Sequence, residues 1–332
     1  MKRFATLLGA AALAATAFAQ SASAETKLRI TLQLPLKSHL GENLVLFKEE
    51  VERESKGDLV VEIYDSAQLY KDNEVPQAVG TGQIEMGVAS LTRYVGDIPA
   101  VDVFYMPFLF NTEDLVRKAV APDSPVRKPL DEAILGTGGR VLWWQAYGGN
   151  ILLSKGAPIK TPDDMKGKKA RVYSKALGTW VETLGGAPTI ISGSEQYIAY
   201  QRGTVDIGMT GVSGVKSRKL WDVMDTITVT NNADIEFIVV VNEPFWQGLT
   251  DGQRAIITTA ARNAEVAVRD AMAGIEAEAF KVAKENGMTV YEPTAEEVDL
   301  WRKASQPVID KWLGDAGALG KQVHDAALSL RM

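Results

Sequence analysis

The chain has 332 residues, 46% hydrophobic and 23% charged, which is enough for two domains of ordinary size and is the balance of a soluble globular protein. It has no cysteine, so no disulfide supports it and a sizeable core must. Its net charge of -6 excludes a basic stripe for nucleic acid, and two distant histidines, His39 and His324, exclude a clustered zinc or catalytic-histidine site.

The chain opens on Lys2-Arg3, an apolar run over Phe4–Ala19, and Ala22-Ser23-Ala24. This is the pattern of a secretory signal peptide, residues 1–24, cleaved after Ala24. Loss of Lys2 and Arg3 takes the charge from -6 to -8 in an exported, periplasmic chain that starts at Glu25.

Alternation predicts a strand over Leu28–Leu34, and an amphipathic helix follows over Gly41–Ser55, stopped by Gly57. Leu59–Tyr64 reads as a strand, Asp72–Val79 as a helix and Ile84–Ala89 as a strand, a βαβαβ order that predicts a parallel sheet. Val101–Phe110 is a buried apolar run. Helices near Thr112–Val120 and Ser124–Leu135 precede an aromatic-rich strand over Arg140–Tyr147.

From Asn150 the pattern restarts, with a strand over Ile151–Ser154. In TPDDMKGKKARVYS, Thr161–Ser174, Thr161 and Pro162 open a short turn and Lys168–Tyr173 alternates as a strand. That strand ends at Ser174, and the carboxyl ends of strands are where α/β sheets bind ligands. The guanidinium of Arg171 there is a fork for a carboxylate, although the local pattern equally allows a solvated residue or a structural ion pair. Helices at Leu177–Leu184 and Glu195–Gln201 and strands at Val205–Met209, Thr226–Thr230 and Phe237–Val241 complete this stretch.

Gly82–Gly87, GQIEMG, is echoed by Gly203–Gly208, GTVDIG, 121 positions later (203 − 82). The echo is either a chance helix–Gly–strand junction or a sign of two similar lobes, in which Ser90 and Thr210 stand at matching strand ends. Asp251–Asn286 is the last large element, with Thr250 and Gln253 as a capping box and Gly287 as its stop. It is either one helix long enough to cross two lobes or two helices broken near Gly274. A strand at Met288–Tyr291 and two final helices are assigned to the second lobe.

The whole mature chain resembles the solute-binding proteins of tripartite ATP-independent periplasmic (TRAP) transporters, the C4-dicarboxylate-binding family. The resemblance begins in EEVERESKGDLVVEIYDSAQL at Glu49–Leu69 and continues through GQIEMG and the MPFLF of Met106–Phe110. It is most specific in PIKTPDDMKGKKARV, Pro158–Val172, and QYIAYQRGTVDI, Gln196–Ile207. It implies an α/β, two-lobed periplasmic-binding-protein fold with a ligand cleft between lobes and a long bridging helix. Residues 25–148 with 237–273 would form lobe I, and 149–236 with 274–332 lobe II.

By the same resemblance Arg171 pairs with a substrate carboxylate. Thr210 stands where the family often has Asn, and Asn150 where it often has a second arginine. The usual V-D-G is Val205-Asp206-Ile207 here. These departures point to a ligand unlike sialic acid, such as a smaller or aromatic monocarboxylate. Tyr173, Glu74, Ser90 and Trp144 complete the candidate set, with each aromatic also open to a plain core reading, as are Trp143, Tyr147 and Trp180. The implied partners are a small organic acid and the membrane subunits of a TRAP permease, with the binding protein a monomer and no cofactor or metal. The rivals are a binding protein for another transporter class or a chemoreceptor, and an exported enzyme, for which the sequence has no GxSxG, HExxH or phosphate loop.

Overall fold

The structure is a computed structural model that describes residues 25–331; the expected signal peptide lies outside the described residues. Two similar units build the sheet. The first runs β1 (Thr26–Thr31), α1 (His39–Glu54), β2 (Leu59–Tyr64), α2 (Val75–Gly80) and β3 (Met86–Ser90). Next come 3-10 turns at Leu91–Tyr94 and Pro99–Tyr105, then α3 (Glu113–Val120), α4 (Arg127–Leu135) and β4 (Gly139–Ser154). The second unit runs β5 (Lys169–Val172), α5 (Lys175–Thr183), β6 (Ala187–Ile190), α6 (Gln196–Gln201) and β7 (Ile207–Gly211). The chain closes with α7 (Val212–Arg218), β8 (Thr226–Thr228), β9 (Asp234–Asn242), α8 (Glu243–Gly248), α9 (Asp251–Glu285), β10 (Thr289–Tyr291), α10 (Ala295–Asp315) and α11 (Gly317–Ser329).

The strand order is β2-β1-β3-β9-β4-β7-β5-β6, with β8 and β10 beside the end of β4. The order reads alike from both ends. In each unit the first strand lies parallel between the other two, and the third meets a central strand antiparallel, β3 against β9 and β7 against β4. The sequence echo is therefore a structural repeat. The same 121-residue offset carries Val75–Gly80 onto Gln196–Gln201 and Met86–Ser90 onto Ile207–Gly211.

The expected strands at 140–147 and 151–154 are one strand. Gly148-Gly149 looks like a break in sequence, but Gly148 takes φ +94 at a register shift and the ladder continues through it. β4 thus pairs with β9 along its first part and with β7 and β8 along its last, passing from one unit to the other without a linker.

The long helix is also unbroken. The Thr250–Gln253 box closes its start, and its 35 residues span about 52 Å. Gly274 has open space around it, so no packing demand kinks the helix there. Asn43 of α1 donates to Ala264 O at 2.7 Å near one end, and Lys216 of α7 reaches Glu278 at 3.8 Å near the other. Buried Ala260, Ala261, Ala264, Ala279 and Ala283 let its backbone approach both units.

α10 packs on α5 through Trp180, whose Nε1 donates to Ser305 Oγ at 2.7 Å, and Trp301, whose Nε1 donates to Lys160 O at 2.9 Å. α11 differs from its expected placement. It lies against Pro99–Tyr105 and α4, on the first unit's side, because buried Val323 and Ala327 find their apolar partners there. Among the described residues no helix is long and apolar enough to cross a membrane.

Candidate ligand-binding site

The carboxyl ends of β1, β3, β5 and β7 converge over the central strands, and a cavity of about 310 Å³ lies among them. Its floor is Tyr147 of β4 with Ile235 and Phe237 of β9. Gln33, Asp72, Ser90 and Arg93 reach it from the first unit; Arg171, Tyr173, Gln196, Thr210 and Arg218 reach it from the second.

Arg171 sits near the end of β5 with 3% of its surface exposed. Its Nε donates to Ile191 O at 3.0 Å and its Nη1 donates to Met209 O, so two neighbouring backbones fix the guanidinium. Tyr173 stacks beneath it, 5.3 Å from ring centre to guanidinium carbon. Among the described residues no carboxylate pairs with Arg171 or with Arg218. Burial holds the Arg171 pKa below its ordinary value, and the nearby cations Arg218 and Arg93 add to that effect.

Arg218 ends α7. Its Nη1 donates to the Tyr147 hydroxyl at 3.1 Å, and the Gln196 amide oxygen, turned toward it, accepts from Nη1 at 3.0 Å and Nε at 3.2 Å. Two glycines make room here. A Cβ at Gly193 would lie 2.8 Å from Arg218 Nη2 and 2.9 Å from Gln33 Oε1. One at Gly214 would lie 2.5 Å from the Tyr147 hydroxyl and 2.8 Å from Thr210 Oγ1. Arg93 is the third guanidinium; its Nε donates to Asp72 Oδ2 at 2.5 Å. Ser90 holds the same carboxylate, donating from N at 2.9 Å and from Oγ at 3.1 Å.

Four expected site residues, Arg171, Tyr173, Thr210 and Ser90, meet on this cavity. Three do not. Asn150 is buried behind it, where its Oδ1 accepts from the Tyr173 hydroxyl at 2.9 Å and its Nδ2 donates to Asn232 Oδ1 at 2.9 Å. It orients Tyr173 and has no face on the cavity. Glu74 is exposed and accepts from Lys71 N at 2.7 Å. Trp144 is fully buried and donates to Asp131 Oδ1 at 2.8 Å, as Trp143 donates to Asn43. His39 opens α1, with Nε2 3.0 Å from Ala146 O, and burial lowers its pKa to about 4, so it stays neutral. Among the described residues no group of three acidic, histidine or cysteine side chains could hold a metal.

A larger cavity of about 630 Å³ touches Ala146, Gly148 and Asp234, which alternation places on the opposite face of the central strands from Tyr147 and Ile235. It is acidic, and its Arg117 and Arg269 already pair with Asp270 and Glu236. The cavity at Arg171 is the better receptor for an acid. It combines strand ends, an apolar floor and buried donors with no carboxylate partner.

Residues 14–315 match the family model for bacterial extracellular solute-binding proteins, family 7, also called DctP. The chain belongs to family 7. It is 30% identical over 286 residues to the C4-dicarboxylate-binding periplasmic protein DctP of Rhodobacter capsulatus, covering 84% of each chain. Among solved structures it is similar to DctP6 of Bordetella pertussis, a receptor binding pyroglutamic acid, with TM-score 0.86, 26% identity and coverage of 92% and 100%. It also matches the fold of a TRAP periplasmic solute-binding protein of Shewanella oneidensis with bound succinate, with TM-score 0.87, 23% identity and coverage of 93% and 100%. Family 7 proteins are solute-binding receptors, not enzymes, and this chain is one of them. The two-unit sheet is the two-lobed architecture of these receptors, with the cavity between the lobes.

Five polar or charged cavity groups, Asp72 among them, went unread in the sequence. Arg93 follows the end of β3, and the strand-end rule that marked Arg171 applies to it equally. Gln33 lies just past β1 and answers to the same rule. Arg218 and Gln196 are brought in by the packing of α7 and α6, which leaves no local pattern.

Proposed function

We propose that this protein captures a compact organic acid between its lobes and delivers it to the membrane subunits of a TRAP-type permease. One observation carries this reading: three guanidiniums, Arg93, Arg171 and Arg218, face one cavity that holds a single carboxylate, Asp72. Two positive charges are left for the ligand. Arg171 is buried and Arg218 is half-buried, so a partner is needed at the first and gains at the second, and an acid with two anionic ends is favoured over one with a single carboxylate. The named ligands of the relatives, C4-dicarboxylates, pyroglutamic acid and succinate, support a compact organic acid, and the C4-dicarboxylates and succinate support two anionic ends. An aromatic monocarboxylate would satisfy only the floor of Tyr147 and Phe237 and leave one cation unbalanced.

Calorimetric titration tests this. A four-carbon dicarboxylate is expected to bind at least about tenfold tighter than a monocarboxylate of equal length, the factor a gain of ~1.4 kcal/mol gives. Equal affinities, or the reverse order, reject the charge argument.

We place the lobe boundaries at Gly148-Gly149 in β4, just before β9, and midway along α9, with α10 on lobe II and α11 on lobe I. We further propose a monomeric periplasmic protein cleaved after Ala24, with no cofactor. Intact-mass measurement of the exported protein is expected to give Glu25 as its first residue. A full-length chain retained in the membrane would reject the cleavage.

A further inference from the structure

A ligand shifts an open–closed equilibrium only through interactions that differ between the two states. Arg171, Thr210, Gln196 and Arg218 all belong to the second unit and hold an anion whether the cleft is open or closed. What closing adds comes from Gln33, Ser90 and Arg93 across the cleft. Of these, only Arg93 brings a charge that attracts an acid.

Arg93 is not free to swing. Asp72 is 1% exposed and takes up its Nε, and Ser90 fixes Asp72 from the other side. The terminal Nη1 and Nη2 of Arg93 have no protein acceptor among the described residues, and Arg93 lines the cavity. Asp72 also balances its charge, so within the cavity lining the first unit's side is neutral and meets a second side carrying Arg171 and Arg218 without carboxylate partners, while outside the lining Lys71 pairs with Glu195 of the second unit at 2.9 Å. Resting on the carboxylate reading of the site, we propose that the Asp72–Arg93 pair is the electrostatic gate of the cleft. Asp72 keeps the first face from repelling or attracting the empty second face, and the free nitrogens of Arg93 close on the bound acid.

The two halves of the pair then have opposite effects when removed. Arg93→Gln leaves Asp72 alone, a negative face opposite two guanidiniums. The empty protein closes, and a bound anion now meets repulsion. Asp72→Asn leaves Arg93 alone, a positive face that holds the empty cleft open and draws a bound anion harder. The chain has no native cysteine, so a cysteine pair introduced on exposed helix positions, one per lobe, reports the lobe distance by single-molecule energy transfer.

At low ionic strength the closed population of the empty protein is expected to rise roughly tenfold in Arg93→Gln and to fall by a similar factor in Asp72→Asn, with added salt shrinking both shifts. Arg93→Lys keeps the charge and is expected to restore the wild-type distance, which separates the gate from mere loss of packing. With 10 mM succinate as probe, the wild type closes and Arg93→Gln does not close further. Wild-type distances in both empty variants, or shifts in the same direction, overturn the gate. A wild type that ignores succinate in this assay counts against the ligand class alone, because the empty-protein comparison uses no ligand.

Discussion

Arg171→Ala is expected to weaken acid binding by about 30-fold to several-thousand-fold, the equivalent of ~2–5 kcal/mol for truncating one partner of a desolvated ion pair. Arg171 is held on two carbonyls, Ile191 O and Met209 O, with its ring of neighbours closed around it, and no protein carboxylate competes for it. Lobe closure removes the water that would screen the pair. Arg171→Lys is expected to bind poorly too, since an ammonium cannot reach both carbonyls and also present a planar fork. The ligand-free fold bears two opposing changes. Losing donors to two buried carbonyls costs ~1–3 kcal/mol each, while removing a buried cation without a counter-ion relieves a penalty of comparable kind. Titration calorimetry and a melting curve of each ligand-free variant check both points. Affinity near wild type in Arg171→Ala would make Arg171 a strut between β5 and β7 and nothing more.

Arg269→Met is expected to give the largest loss of stability. Arg269 of α9 meets Glu236 of β9 through two bonds, Nη1 to Oε1 at 2.5 Å and Nη2 to Oε2 at 2.8 Å, and Glu236 is 0% exposed. Asp234 lies two residues away on the same strand; burial first, and then Glu236, pushes its carboxyl well above the usual carboxylate range. Without Arg269 this buried acidic group has no cation. Breaking such a pair costs ~3–5 kcal/mol, which for a chain of this size lowers the melting temperature by roughly 5–8 °C. The double variant Glu236→Gln with Arg269→Met is expected to regain most of that loss, because the uncompensated charge is gone. Differential scanning calorimetry decides it. A single variant that melts with the wild type, or a double variant no better than the single, would reject the account.

Elements whose energetics are local were legible in the sequence. Thr250 and Gln253 announce the start of α9 through backbone bonds that need no tertiary partner, and Ser174 caps α5 in the same way, accepting from Leu177 N at 3.0 Å. The repeat was legible because Gly82 and Gly203 both take positive φ, +75 and +66, at the same helix–strand junction. Short elements that tertiary packing stabilises were not. α7 has seven residues, with Gly214 among them, and is helical because Val212 and Val215 are buried. β6 contains Pro188 and is tolerable as a strand only because it is the sheet edge. For the site, Arg171 was reached through a strand end and a family resemblance. Asn150 and Trp144 lie close to it in sequence, but their side chains point away from the cavity. Arg218 comes from far along the chain and no spacing rule links it to Arg171.

The position of β9 between β3 and β4 also bears on the order of assembly. Neither β3 nor β4 has its full set of ladder partners until residues 234–242 are available, and the turn at Pro99–Tyr105 and α4 lack their packing against α11 until residues 317–329 arrive. Such long-range pairing makes folding slow and leaves strand edges open meanwhile. The first lobe cannot complete itself on a nascent or partly translocated chain. Residues 234–242 and 317–329 must both be present before the central sheet and its packing are complete.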